Sequence, residues 1–98
     1  MSAEGDALDD ANFAELIYEL SDRAFVMAKD TAAGAGDAAE RREGALELAR
    51  RVNALAPRAQ ASIDRSLSAA VSEAIVDINY VLSEGRAPLS LRLNQVLR

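Results

Sequence analysis

The chain has 98 residues, half of them apolar, a formal net charge of -5, and neither cysteine nor histidine. Disulfides, thiolate nucleophiles, imidazole bases and the usual zinc ligands are thereby excluded at once. A chain of this size buries only about 60 to 65% of its unfolded surface, which allows one domain over residues 1–98 and one core. Much of the apolar half is alanine, so that core is expected to be lean: alanine favours helix more than it adds burial energy.

Charge is unevenly distributed. Residues 1–30 carry eight acids against Arg23 and Lys29, whereas residues 38–65 carry six arginines against four acids. No run is long and apolar enough to span a bilayer, and residues 1–15 lack the basic start and apolar centre of a signal peptide. The expected location is cytoplasmic, with no membrane contact.

Residues 1–8 read as a flexible leader. Asp9 is a good N-cap for a helix over 9–31, on which Phe13, Ile17, Leu20, Ala24 and Met27 recur at steps of three and four. Tyr18 and Phe25 lie one position off that stripe and seven residues apart, so they share a flank that serves either a broad core face or a second contact surface. Gly34 and Gly36 then break the chain. Asp37 and Glu40 form a capping box for a helix over 37–55, with Ala45, Leu48, Val52 and Leu55 as its seam and Glu47 and Arg51 paired on its wet side. Gly44 in its middle costs about 1 kcal/mol of helix propensity and either allows a close helix crossing or is simply tolerated.

Pro57 lacks the donor a helix needs, so either one long rod runs through it with a kink or, as preferred here, a new helix starts there and runs to 84. Ile63, Leu67, Val71, Ala74, Ile75, Ile78 and Leu82 would form its stripe, and at roughly 40 Å it would be the longest of the three. Gly85 and Pro88 stop it. In the tail, 88–98, a short helix would group Leu89, Leu93, Val96 and Leu97 on one side, whereas a strand would alternate Leu89, Leu91 and Leu93 with Ser90 and Arg92; helix is preferred because no other strand candidate could pair with it, and the tail either closes one end of the bundle or binds another molecule. The fold expected is therefore all-α: an antiparallel bundle of three main helices plus a short C-terminal helix. Because the third helix outruns its neighbours, its far end and the tail are expected to pack against a second copy, giving a dimer.

No chemistry-bearing constellation stands out. The carboxylates fall at helix starts and on polar faces, Glu-x-x-His is absent, and the two inter-helix glycines lack the strand and lysine of a phosphate loop. The expectation is a non-enzymatic helical protein-protein interaction module, an adaptor or regulator acting as a homo-oligomer, without cofactor or metal. Its interface would use Tyr18, Phe25, Ile75, Ile78, Leu82, Leu89, Leu93, Val96 and Leu97. One alternative is a nucleic-acid-binding regulator using Arg41, Arg42, Arg50, Arg51 and Arg58; interleaved acids, the net negative charge and the lack of accompanying aromatics weigh against it. Another is an acidic helical mimic that binds a basic partner through Asp9, Asp10, Glu15, Glu19 and Asp22. A last one starts from the tyrosines, since Tyr18 precedes Asp22 and Tyr80 precedes Glu84 by four residues. With a length near one hundred and no cysteine, this Tyr-x-x-x-acid pattern resembles the WXG100 family of small helical-hairpin substrates of type VII secretion, which implies an exported protein. The Trp-x-Gly turn of that family is missing, and the chain predicts more than one hairpin.

Overall fold

The computed structural model describes residues 9–85, in which three helices pack together: α1 (Asp10–Ala33), α2 (Ala38–Ala61) and α3 (Arg65–Leu82). No strand occurs among the described residues. The leader 1–8, the expected C-terminal helix and the tail residues Leu89, Leu93, Val96 and Leu97 lie outside them.

The start of α1 is set by Asp9, whose carboxylate accepts the Asn12 N–H at 2.8 Å and so satisfies one of the donors a helix start leaves over. Its end is set by Gly34, at φ 69°, whose N–H returns to the carbonyls of Asp30 and Thr31. Asp37 then opens α2 by accepting the Ala39 N–H at 3.2 Å.

The second helix does not stop before Pro57. It runs through the proline to Ala61, which corrects the expected boundary at 55. An interior proline costs about 3 kcal/mol, so something must offset it. Pro57 and Asn53, whose carbonyl loses its partner, are both exposed, which leaves that carbonyl to water. Beyond the proline, Ala59 is fully buried, and the Arg58 guanidinium lies 4.1 Å above the Phe13 ring and 3.4 Å from the Asp10 carboxylate. These contacts fasten the last turn of α2 onto α1.

The break falls instead at 62–64. Ser62 Oγ accepts the Asp64 N–H at 3.0 Å, and Asp64 caps α3 by accepting the Ser66 N–H at 3.0 Å and the Ser66 hydroxyl at 2.6 Å. The single helix expected over 57–84 is therefore the last turn of α2 plus a shorter α3. With 18 residues, α3 is the shortest of the three, about 27 Å by the helical rise. Ile63, expected on the core stripe, sits in the turn and is 99% exposed.

Helix directions follow from the contacts. Arg58 reaches Asp10 and Met27 packs at Gly44, so α1 and α2 are antiparallel. Arg42 reaches the Leu82 carbonyl, so α2 and α3 are antiparallel as well. Tyr18 meets Ser66 and Thr31 lies beside Gly85, which makes α1 and α3 parallel. The carboxyl ends of α1 and α3 thus meet at the start of α2. There Arg41 donates to the Ala35 carbonyl and stands 3.7 Å from Glu84, while Arg42 donates to the Leu82 carbonyl at 3.1 Å. Cations are favourable where two helices end with unpaired carbonyls.

The core is as lean as the composition implies. Phe13, Ile17, Leu20, Leu48, Val52, Leu67, Val71, Ile78 and Val81 are interleaved with Ala24, Ala28, Ala45, Ala59, Ala70 and Ala74, all buried. Small residues let the backbones close up: a Cβ on Gly44 would stand 3.3 Å from Met27 Cε. Two polar side chains are buried in the same core, Ser21 on α1 and Asp77 on α3, the latter with no exposure at all.

Candidate interaction surface

The residues expected to form an interface separate into three groups. Ile78 is buried in the core and 3% exposed, so it belongs to the monomer and not to a contact with a second chain. Phe25, Ile75 and Leu82 are half-buried and pack against that core. Ile75, Ile78 and Leu82 line, with Ala49, Val52, Asn53 and Asn79, a cleft of about 70 Å³, below the size of ordinary ligand pockets. Tyr18 remains outward, 41% exposed.

Tyr18 stands at the edge between α1 and α3. Its hydroxyl is hydrogen-bonded to Ser66 Oγ, and because Ser66 gives its own proton to Asp64, Tyr18 is the donor. The phenol is thus tied to the cap of α3 while its ring faces solvent. On the same outward side of α1, Val26 is 50% exposed and Met27 half-buried. With Glu15, Glu19, Asp22 and Arg23 they line one open trough along the helix. The spacing of positions 15, 18, 19, 22 and 26, in steps of three and four, puts them on one face. That face is a short apolar strip with three carboxylates beside it; the sequence points to Tyr18 as a contact residue and to Glu15, Glu19 and Asp22 as an acidic face, but not to Val26, which falls outside the core stripe. The other exposed large apolar side chains of the described helices, Leu46 on α2 and Val76 on α3, stand singly.

The arginines proposed for nucleic acid are mostly engaged within the chain. Arg41 and Arg42 close the helix ends, Arg58 holds Asp10 and Phe13, and Arg50 pairs with Glu47 on its own helix. The expected partner of Glu47 was Arg51; the pair forms one position earlier, at a spacing of three. Arg51 is exposed. The acids Asp9 and Asp10 of the proposed acidic face are likewise occupied, the first in capping α1 and the second with Arg58. Glu15, Glu19 and Asp22 line the trough.

Among the described residues no group of three or more acidic side chains is placed to hold a metal ion. No helix there is long and apolar enough to cross a membrane. The Ser66 hydroxyl, and then the Ser66 N–H, hold the Asp64 carboxyl below its ordinary value. That is the signature of a helix cap rather than of a catalytic acid.

No protein-family model, curated protein or solved structure matches this chain. The class it can be given is that of its fold, a small three-helix bundle. Three helices also depart from the single hairpin that the tyrosine-acid resemblance implies.

Proposed function

We propose that the protein is a non-enzymatic helical interaction module whose contact surface is the outward face of α1. The observation that carries this reading is the joint exposure of Tyr18 and Val26 on one face, with Glu15, Glu19 and Asp22 alongside. Aromatic and aliphatic side chains on a preformed helix supply contact energy at little ordering cost, and flanking carboxylates select partners and orient them. The face is open rather than enclosed, which suits a macromolecule better than a small ligand. The partner fitted by this surface is a protein segment that is basic and apolar.

Affinity capture from extracts of the native host tests it. Val26→Asp should remove the captured partner, and Leu46→Asp on α2 should not. If both variants capture what the unaltered protein captures, the α1 face is not the contact surface.

Self-association is the second reading, and it has lost its length argument now that α3 is the shortest helix. What supports it is Val76, 41% exposed on α3, a residue whose neighbour Ile75 is only half-covered. Light scattering at micromolar concentration tests it: a species of 10.4 kDa alone would rule it out. The location we propose remains cytoplasmic.

A further inference from the structure

Resting on the reading of the outward α1 face as the contact surface, we propose that its partner is a second copy of this chain, the two α1 helices packing antiparallel across a two-fold axis at Asp22. The face divides by charge. Its amino half presents the exposed carboxylates Glu15 and Glu19 beside the exposed ring of Tyr18. Its carboxyl half, residues 23–29, holds no acid and presents Arg23, Val26 and Lys29, all exposed. That half is itself a basic and apolar segment, the kind of partner the amino half fits, so one helix carries both sides of the contact.

The spacing lets the two sides meet. Positions 15, 18, 19, 22, 26 and 29 occupy about a third of the helix circumference, opposite the buried Phe13, Ile17, Leu20 and Ala24. In an antiparallel pair centred on Asp22, each position meets the one as far beyond the centre as it lies before it. Tyr18 then faces the second copy's Val26, and Glu15 faces its Lys29. Glu19 and the second copy's Arg23 fall on the same side of the seam. The ion pairs described within the chain join Arg41 to Glu84, Arg50 to Glu47 and Arg58 to Asp10, and use none of these four charges. Asp22 differs: it is engaged within its own chain, and at the axis it meets its own copy and opposes the contact. The apolar pairs therefore hold the two copies, and the charges set their direction. A strip about 20 Å long on one helix is smaller than the roughly 800 Å² per partner of a standard interface, which puts the association in the micromolar range.

The rival surface is at the turn between α2 and α3, where Ile63 is 99% exposed. Ile63 rims a hollow lined by Phe13, Leu67, Asp10, Arg58 and Asp64. The charges there are engaged inside the chain, Asp10 with Arg58 and Asp64 with the cap of α3. That patch lacks the two-sided charge pattern of the α1 face. Leu46 and Val76 stand singly on their helices.

Light scattering of the full-length chain at micromolar concentration should show a species of twice 10.4 kDa that dissociates on dilution. Val26→Asp should weaken the association by roughly tenfold or more, with Ile63→Asp and Val76→Asp leaving it unchanged. Glu15→Lys and Lys29→Glu should each weaken it about fivefold, and both changes in one chain should restore it. A parallel pair, in which each position meets itself, would be indifferent to all three. Asp22→Asn should tighten the association about threefold by removing the like charges at the axis. Because the chain has no cysteine, mixing Tyr18→Cys and Val26→Cys chains under mild oxidation should give the mixed disulfide ahead of either self-pairing. A species of 10.4 kDa alone, a dimer lost on Ile63→Asp or Val76→Asp but kept on Val26→Asp, or charge reversals that do not compensate would overturn the proposal. Val26-dependent capture of a different protein by a chain that stays monomeric leaves the α1 surface standing and sinks the second copy. Association and capture that are both indifferent to Val26→Asp sink the two readings together.

Discussion

At the scale of single residues, each of the three helix starts is held by an aspartate carboxylate that accepts a backbone N–H of the first turn. Asp9 and Asp37 each accept an N–H two or three residues on, as their positions before apolar runs implied. Asp64 is the third cap, and its signal in the sequence is masked by the stronger one at Pro57. It yields a prediction with a definite sign. Its carboxyl is held below the ordinary value of 3.8 by the Ser66 hydroxyl and then the Ser66 N–H. The native state therefore favours the ionised form. Its contribution to stability is complete above the ordinary value and is lost as the pH falls through the depressed folded value. Asp64→Asn keeps a capping oxygen that does not titrate. Its melting temperature should follow the unaltered protein's above pH 5 and fall less steeply below about pH 3.8. Thermal melts across that range check it. Gly44 is the other residue with a clear expectation. A Cβ there would touch only the end of the Met27 side chain, at 3.3 Å from Cε. Methionine is flexible enough to move aside, so Gly44→Ala should stabilise the protein by somewhat less than the roughly 1 kcal/mol of helix propensity it gains. Denaturant titration reads this directly. Asp77 was not legible at all: a carboxylate with no exposure lies three positions from Ala74 and four from Val81, on a face that the spacing of the isoleucines had placed elsewhere.

At the scale of elements, helix number and order were readable from periodicity and glycine breaks, and the second boundary was not. Pro57 carries the strongest local helix-breaking signal in the chain, yet contacts far away in sequence override it. Arg58 over Phe13 and the burial of Ala59 couple residues more than forty positions apart, and no local pattern contains them. That override implies a reserve of stability. Pro57→Ala should restore the missing ladder bond and relieve the crowding, gaining about 2 kcal/mol after the loss of proline's restriction on the unfolded chain. For a domain of this size the melting temperature should rise by about 10 °C. An unchanged melting temperature would mean that the helix already absorbs the proline without cost. Arg58→Ala should act in the opposite direction, because it removes both the cation over the Phe13 ring and the partner of Asp10. Its loss should be modest, about 1 kcal/mol, since both contacts lie near the surface.

At the scale of the whole molecule, the corrected length of α3 changes what a mutation on it would report. Read as an overlong helix, its outer half would offer Ile78 to a second chain. In the bundle Ile78 is 3% exposed and belongs to the one core that the chain possesses. A carboxylate forced into that position loses its hydration without a prepared partner, at a cost of several kcal/mol. Against it stands a total stability of about 5 to 15 kcal/mol for an ordinary domain, and a core rich in alanine puts this one toward the lower end. Ile78→Asp should therefore abolish most of the helical circular dichroism. Val26→Asp and Val76→Asp change side chains that are half and two-fifths exposed, and should leave the helicity and the melting temperature nearly as they were. The contrast is what gives the interaction variants their meaning. A partner lost on Val26→Asp is lost from a folded protein, and the loss assigns the surface; a partner lost on Ile78→Asp assigns nothing. Should Ile78→Asp keep its helicity while Val26→Asp loses it, the buried face of the bundle would have to be turned around.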